Sequence, residues 1–100
     1  MNIQVSSIHF SVDPKLTSFI TKKVSKLDTY FDGIIGAEVI LKVTKPETAN
    51  NKVVEVKLSI PLSGYLFAEK KADSFEEACD LAVDAIRRQL NKYKEKLREK

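Results

Sequence analysis

Two sets of basic residues recur at helical spacing, and they are the side chains in this sequence best suited to chemistry. Lys15, Lys22 and Lys26 fall within about 40° of one another on a helix advancing 100° per residue. Nearer the C-terminus, Arg87, Lys94 and Arg98 share one flank of a second periodic segment, and Arg88, Lys92 and Lys96 share the other. Cations grouped in this way attract a polyanion. Arginine forks onto pairs of phosphate oxygens, as Arg87 and Arg88 are placed to do, and lysine adds point charge.

Other chemistry lacks its components. His9 is the only histidine, so neither a histidine relay nor a multi-histidine metal site can form. It sits beside Phe10 near a strand end and reads as a structural or surface residue. Cys79 is the only cysteine and lies on an apolar stripe, as a buried, unreactive thiol does. With no partner for an intrachain disulfide, the chain suits a reducing cytosol. Glu76, Glu77, Asp80 and Asp84 have no converging metal-binding partners. The three glycines, at 33, 36 and 64, are too scattered for a phosphate loop. We therefore expect no catalytic residue, metal or cofactor. The strands show no aromatic pair of the kind that stacks bases, and Tyr30 and Tyr93 sit on apolar stripes as core residues. Recognition of phosphate backbone and shape is favoured over recognition of base sequence.

The totals set the frame. One hundred residues, 43% hydrophobic and 31% charged, describe a single soluble domain over 1–100. The net charge is only +3, so its distribution carries the information. Met1-Asn2-Ile3-Gln4 does not resemble a secretory signal, and no apolar run approaches the roughly 18 residues of a membrane span.

The elements that position these charges follow from periodicity. Ile3, Val5, Ile8 and Phe10 alternate and then slip by one, which predicts a strand over about residues 2–9 with a bulge at Ser6-Ser7. Asp13-Pro14 is an N-cap followed by proline at the first helical position. Leu16, Phe19, Ile20, Val24, Leu27, Tyr30 and Phe31 continue that helix, and Asp32-Gly33 closes it. Lys23 falls at the edge of this stripe. From Ala37 the period becomes two: Ala37, Val39, Leu41 and Val43 face one way, and Val54, Val56, Leu58 and Ile60 return on a second strand after the turn-rich segment 45–51. Pro61-Leu62-Ser63-Gly64 breaks this hairpin, and Tyr65 to Lys70 reads as a shorter fourth strand.

Ser74-Phe75-Glu76-Glu77 is a capping box that opens the longest element. Phe75, Ala78, Cys79, Ala82, Ile86, Leu90, Tyr93 and Leu97 form its stripe, with small residues in the first half for close approach to a sheet. The sparser second half is expected to project past the core. Four acids and no base lie between Ser74 and Ile86, and seven bases against Glu95 and Glu99 follow. Part of this split matches the helix dipole, but that effect fades beyond the terminal turn. The basic run covers almost four turns. The predicted fold is α+β, in the order β-α-β-β-β-α: a four-stranded mixed sheet with two helices packed on one face. If the helices lie side by side, their lysines and arginines line a groove from both sides.

Particular residues carry a resemblance over essentially the whole chain. The succession Asp13-Pro14, Lys22-Lys23-Val24, Lys26-Leu27 and Tyr30-Phe31-Asp32 is similar to the start of the ribosome hibernation promoting factor family, which includes protein Y. Leu66-Phe67-Ala68 and Asp80-Leu81-Ala82-Val83-Asp84 continue it. Arg88-Gln89-Leu90-Asn91-Lys92-Tyr93-Lys94-Glu95-Lys96-Leu97 is close to the family's closing motif. The resemblance implies a shape like that of double-stranded RNA-binding domains. It also implies binding in the channel of the small ribosomal subunit used by messenger and transfer RNA, with translation blocked by occupancy and without a reaction. Carried over by position, Lys22 and Lys26 contact ribosomal RNA from the first helix, and Arg88, Lys92, Lys94 and Lys96 from the second. Arg87 joins them from the residues alone. The sequence departs from the family at Ala85, commonly lysine, at Arg87, often acidic, and at Lys70-Lys71, frequently acidic. The chain stops at Lys100, like short members that lack the C-terminal dimerisation domain. Such a protein is expected to be a cytoplasmic monomer off the ribosome, with no membrane partner. The alternatives are a free-standing duplex-RNA binder and a protein-interaction module using the open sheet face.

Overall fold

Asp13 and Ser74 start the two helices, as their side chains predict. Asp13 Oδ1 accepts a hydrogen bond from the Lys15 amide at 2.8 Å, with Pro14 opening the helix. Ser74 Oγ accepts from the Glu77 amide at 3.1 Å. Each contact fills an amide that a helix start leaves open. The computed structural model describes residues 1–45, 49–61 and 64–98. Its elements are β1 (Asn2–Ser7), α1 (Pro14–Ser25), a 3-10 turn (Lys26–Thr29), β2 (Gly36–Val43), β3 (Lys52–Ile60), β4 (Gly64–Ala72) and α2 (Phe75–Arg98). Within the predicted loops, Pro46, Glu47, Thr48, Leu62 and Ser63 lie outside the described residues.

The sheet runs β1-β2-β3-β4, with β1 parallel to β2 and the other pairs antiparallel. The expected mixed sheet and β-α-β-β-β-α order are both present. Alternation sends Ala37, Val39 and Leu41 of β2 and Val54, Val56, Leu58 and Ile60 of β3 into the core. There they meet Ile20 and Val24 of α1 and Ala78, Cys79, Ala82, Ile86 and Leu90 of α2. The small residues of α2 let that helix approach closely, as predicted.

Four expectations change. β1 ends at Ser7, and the slip in alternation is the chain leaving the sheet rather than a bulge. His9 adopts a left-handed φ of 69°, the Ser7 hydroxyl donates to the Phe10 carbonyl, and Phe10 stacks on Phe75 with centroids 5.4 Å apart. The first helix stops at Ser25 rather than Asp32. Ser25 Oγ donates to the Lys22 carbonyl at 2.9 Å and Thr29 Oγ1 to the Lys26 carbonyl at 2.7 Å, and the chain tightens into the 3-10 turn. Gly33 still takes a left-handed φ of 93°, but it turns the chain beyond the helix instead of capping it. β4 is nine residues long, as long as β3. Finally, Leu90 is fully buried, so only the last turns of α2 pass beyond the core.

Pairing of Leu58 with Leu66 also fixes which face β4 presents. Tyr65, Phe67, Glu69 and Lys71 lie on the open face beside Ser59, Lys57, Glu55 and Val53 of β3. Tyr65 is 56% and Phe67 44% exposed. An aromatic pair therefore does stand on one strand, contrary to the sequence reading, because its facing depends on strand register. Lys42 neutralises part of this face, bridging Glu55 and Glu69, the latter at 3.7 Å. The edge of β4 is partly covered: Gln89 Nε2 donates to the Phe67 carbonyl at 2.8 Å, which removes one free acceptor.

Candidate nucleic-acid interface

The two helices meet along a seam of ionic and aromatic contacts. Lys23 Nζ lies 3.2 Å from Asp80 Oδ1, and the Arg87 guanidinium lies over the Tyr30 ring at 5.9 Å from its centroid. Phe31 and Tyr93 meet edge to face, 5.4 Å apart. The Tyr93 hydroxyl donates to the Pro61 carbonyl at 3.1 Å. These contacts carry α2 one turn past Leu90 and fix the rotation of its basic end. Asp80 and Asp84, which lie beyond the first turn of α2 where the helix dipole favours acids, are each engaged by basic side chains.

Asp84 holds two. Its Oδ1 accepts from Arg87 Nη2 at 2.7 Å, and its Oδ2 lies 2.8 Å from Arg88 Nη2. The hydrogen bond from Arg87, aided by the charge of Arg88, holds the Asp84 carboxyl below its ordinary range and raises Arg87 in turn. The expected fork of Arg87 and Arg88 toward phosphate is thus directed in the free protein at one carboxylate. Arg88 remains largely exposed, whereas Arg87 is half-buried against Tyr30.

The bases of α2 divide as the helical wheel predicts. Arg87, Lys94 and Arg98 face the segment that follows α1, and the last two line a cavity of about 420 Å³ with Leu97, Thr29, Tyr30, Phe31 and Asp32. Arg88, Lys92 and Lys96 occupy the opposite flank, the side on which Gln89 reaches β4. The cavity is not the groove expected between side-by-side helices, because no residue of α1 lines it. Tyr30, Phe31 and Asp32, beyond the 3-10 turn, form its wall opposite α2, while Lys22 and Lys26 are exposed outside it. Lys26 belongs to the 3-10 turn rather than to α1.

Among the described residues, Lys22, Lys26, Lys92, Lys94 and Lys96 form no ion pair. Arg98, read from its spacing as sharing a flank with Arg87 and Lys94, completes the cavity wall. Tyr30, read as core, is 39% exposed beneath Arg87. His9 and Cys79 lie apart from the surface. Burial raises the Cys79 thiol to about 12, so it stays protonated and inert. Among the described residues no group of three or more potential metal-ligating side chains converges. No helix there is long and apolar enough to cross a membrane.

The arrangement has close counterparts. Residues 3–98 match the family model described as sigma 54 modulation protein / S30EA ribosomal protein. A ribosome hibernation promoting factor of Pseudomonas putida is 32% identical over 96 residues, covering 96% of this chain and 89% of that protein. Its counterpart in Escherichia coli K12 is 29% identical, covering 99% of each chain. The crystal structure of the Thermus thermophilus protein Y N-terminal domain superposes with a TM-score of 0.78 at 26% identity. That superposition covers 93% of this chain and 99% of the other.

Proposed function

Since the chain belongs to the S30EA ribosomal protein family, we propose that it is a ribosome hibernation factor that binds the small ribosomal subunit through ribosomal RNA and blocks translation by occupancy. The observation that carries this reading is the set of lysines on α2, on α1 and in the 3-10 turn that form no ion pair among the described residues. Lys22, Lys26, Lys92, Lys94 and Lys96 meet phosphate directly. Arg87 and Arg88 join them by exchanging Asp84 for phosphate oxygens, an exchange of like chemistry in which little is lost. The site lies in the channel used by messenger and transfer RNA, where occupancy alone excludes both. No bond is made or broken, and no cofactor takes part.

Electrostatic recognition of this kind is salt-dependent. On RNA each neutralised phosphate contributes roughly 0.7 to 0.9 to the slope of log K against log salt. Sedimentation with purified small subunits at increasing salt tests the proposal. Co-migration at moderate salt, lost steeply as salt rises, is expected; failure to co-migrate at moderate salt overturns it.

A further inference from the structure

We propose that the open face of the sheet is a second binding surface, one that takes unpaired bases of single-stranded RNA. It lies opposite the helices and does not depend on their cations. Tyr65 and Phe67 stand two residues apart on β4 with their side chains on this face, about 6.8 Å from one another along the strand. Beside them the face sinks into a hollow of about 270 Å³, walled by Asn2, Gln4, Glu38, Lys57 and Ser59 with the exposed Ile35 at its side. Gly36 forms part of the hollow. Its strand runs so close to β1 that an added Cβ would stand 2.8 Å from the Asn2 carbonyl oxygen.

The chemistry of this strip suits a base. Exposed aromatic faces stack on any base, and the amides of Asn2 and Gln4 with the Ser59 hydroxyl supply donors and acceptors for base edges. Among the described residues these three side chains make no hydrogen bond. Lys57 Nζ rests over the Tyr65 ring, 4.4 Å from its centroid. A contact of that kind at an exposed site is weak, so an arriving base displaces the amine onto an adjoining phosphate. Glu55 and Glu69 are already engaged by Lys42, which leaves Glu38 as the acid facing the strip. A protein partner docking by apolar burial would cover Ile35, Tyr65 and Phe67 but leave the side chains of Asn2, Gln4 and Ser59 without partners.

The test uses the full chain carrying Arg88→Glu and Lys92→Glu, which weakens the helical surface, titrated with a hexanucleotide of uridines and followed by amide chemical shifts. Shifts are expected at Lys57, Ser59, Tyr65 and Phe67. Tyr65→Ala and Phe67→Ala should each weaken binding roughly 5- to 30-fold, while Tyr65→Phe stays within about twofold. With one lysine engaged, the salt dependence should be shallow. Both rings are exposed, so unchanged melting confirms that folding is not the cause. Shifts confined to the helices, or affinity unmoved by Tyr65→Ala, overturn the proposal. So does self-association through this face, seen by sedimentation and lost in Tyr65→Ala without change in oligonucleotide binding. Ribosome association of the native chain is a separate measurement, so either surface can fail alone.

Discussion

Asp84 and Arg88 pair across one turn of α2, with Arg88 Nη2 2.8 Å from Asp84 Oδ2, while the other oxygen of the same carboxylate takes Arg87. The boundary between the acidic and basic halves of the helix is therefore a contact, with one acid occupying two of the cations proposed to meet RNA. Exposed pairs contribute little to stability, so the consequence is for binding.

Asp84→Asn should tighten association with the small subunit and steepen its salt slope by up to about one or two phosphates' worth, with little change in melting temperature. The pH dependence has a definite sign. Arg87 depresses the Asp84 carboxyl, so the pairing is complete above the unfolded carboxyl's range and is lost as pH falls through the folded value. Salt titrations of sedimentation for the two proteins check the substitution.

Tyr93 links the working end of α2 to the rest of the molecule. Tyr93→Phe keeps the ring on Phe31 and loses the bond to the Pro61 carbonyl, costing about 0.5–1 kcal/mol. Tyr93→Ala also loses the ring packing and should cost about 2–3 kcal/mol. Urea denaturation measures both. The alanine variant should also show faster amide exchange from Lys92 to Lys96.

Gly36 occupies the parallel seam between β1 and β2. Gly36→Ala forces a Cβ against the Asn2 carbonyl, where only backbone movement can relieve the contact, and should destabilise the fold by about 1–3 kcal/mol. A lowered urea midpoint with an unchanged m-value would show it.

Cys79 makes an alkaline prediction. Its thiol ionises at about 12 in the folded chain against 9.0 as the reference, because burial disfavours the thiolate. Above the unfolded value only the unfolded state releases this proton, so stability should fall by about 1.4 kcal/mol per pH unit from about pH 9. Cys79→Ala should lack that component. Unfolding curves between pH 8.5 and 10 for both proteins provide the comparison.

The parts of the fold legible in the sequence were those fixed by short-range chemistry. The Asp13 and Ser74 caps, the alternation through Val39 and Leu41, and the small-residue stripe of Ala78, Cys79 and Ala82 each carry their own signal. What escaped depends on partners distant in sequence or on side-chain conformation. Tyr65 and Phe67 face outward only once Leu66 is registered against Leu58. Tyr30 leaves the core because the helix tightens at Ser25 and Thr29. The basic positions were evident from spacing, but sharing of Asp84 between Arg87 and Arg88 requires two particular rotamers. Spacing also could not show that Tyr30 and Asp32, rather than lysines, form the cavity wall opposite α2.

The central claim is that the basic end of α2 holds ribosomal RNA, and charge reversal tests it most directly. Arg88→Glu combined with Lys92→Glu, both exposed, should abolish co-sedimentation with the small subunit at moderate salt while the melting temperature moves by no more than about 2 °C. Undiminished co-sedimentation, or a loss matched by a comparable fall in melting temperature, would contradict the account.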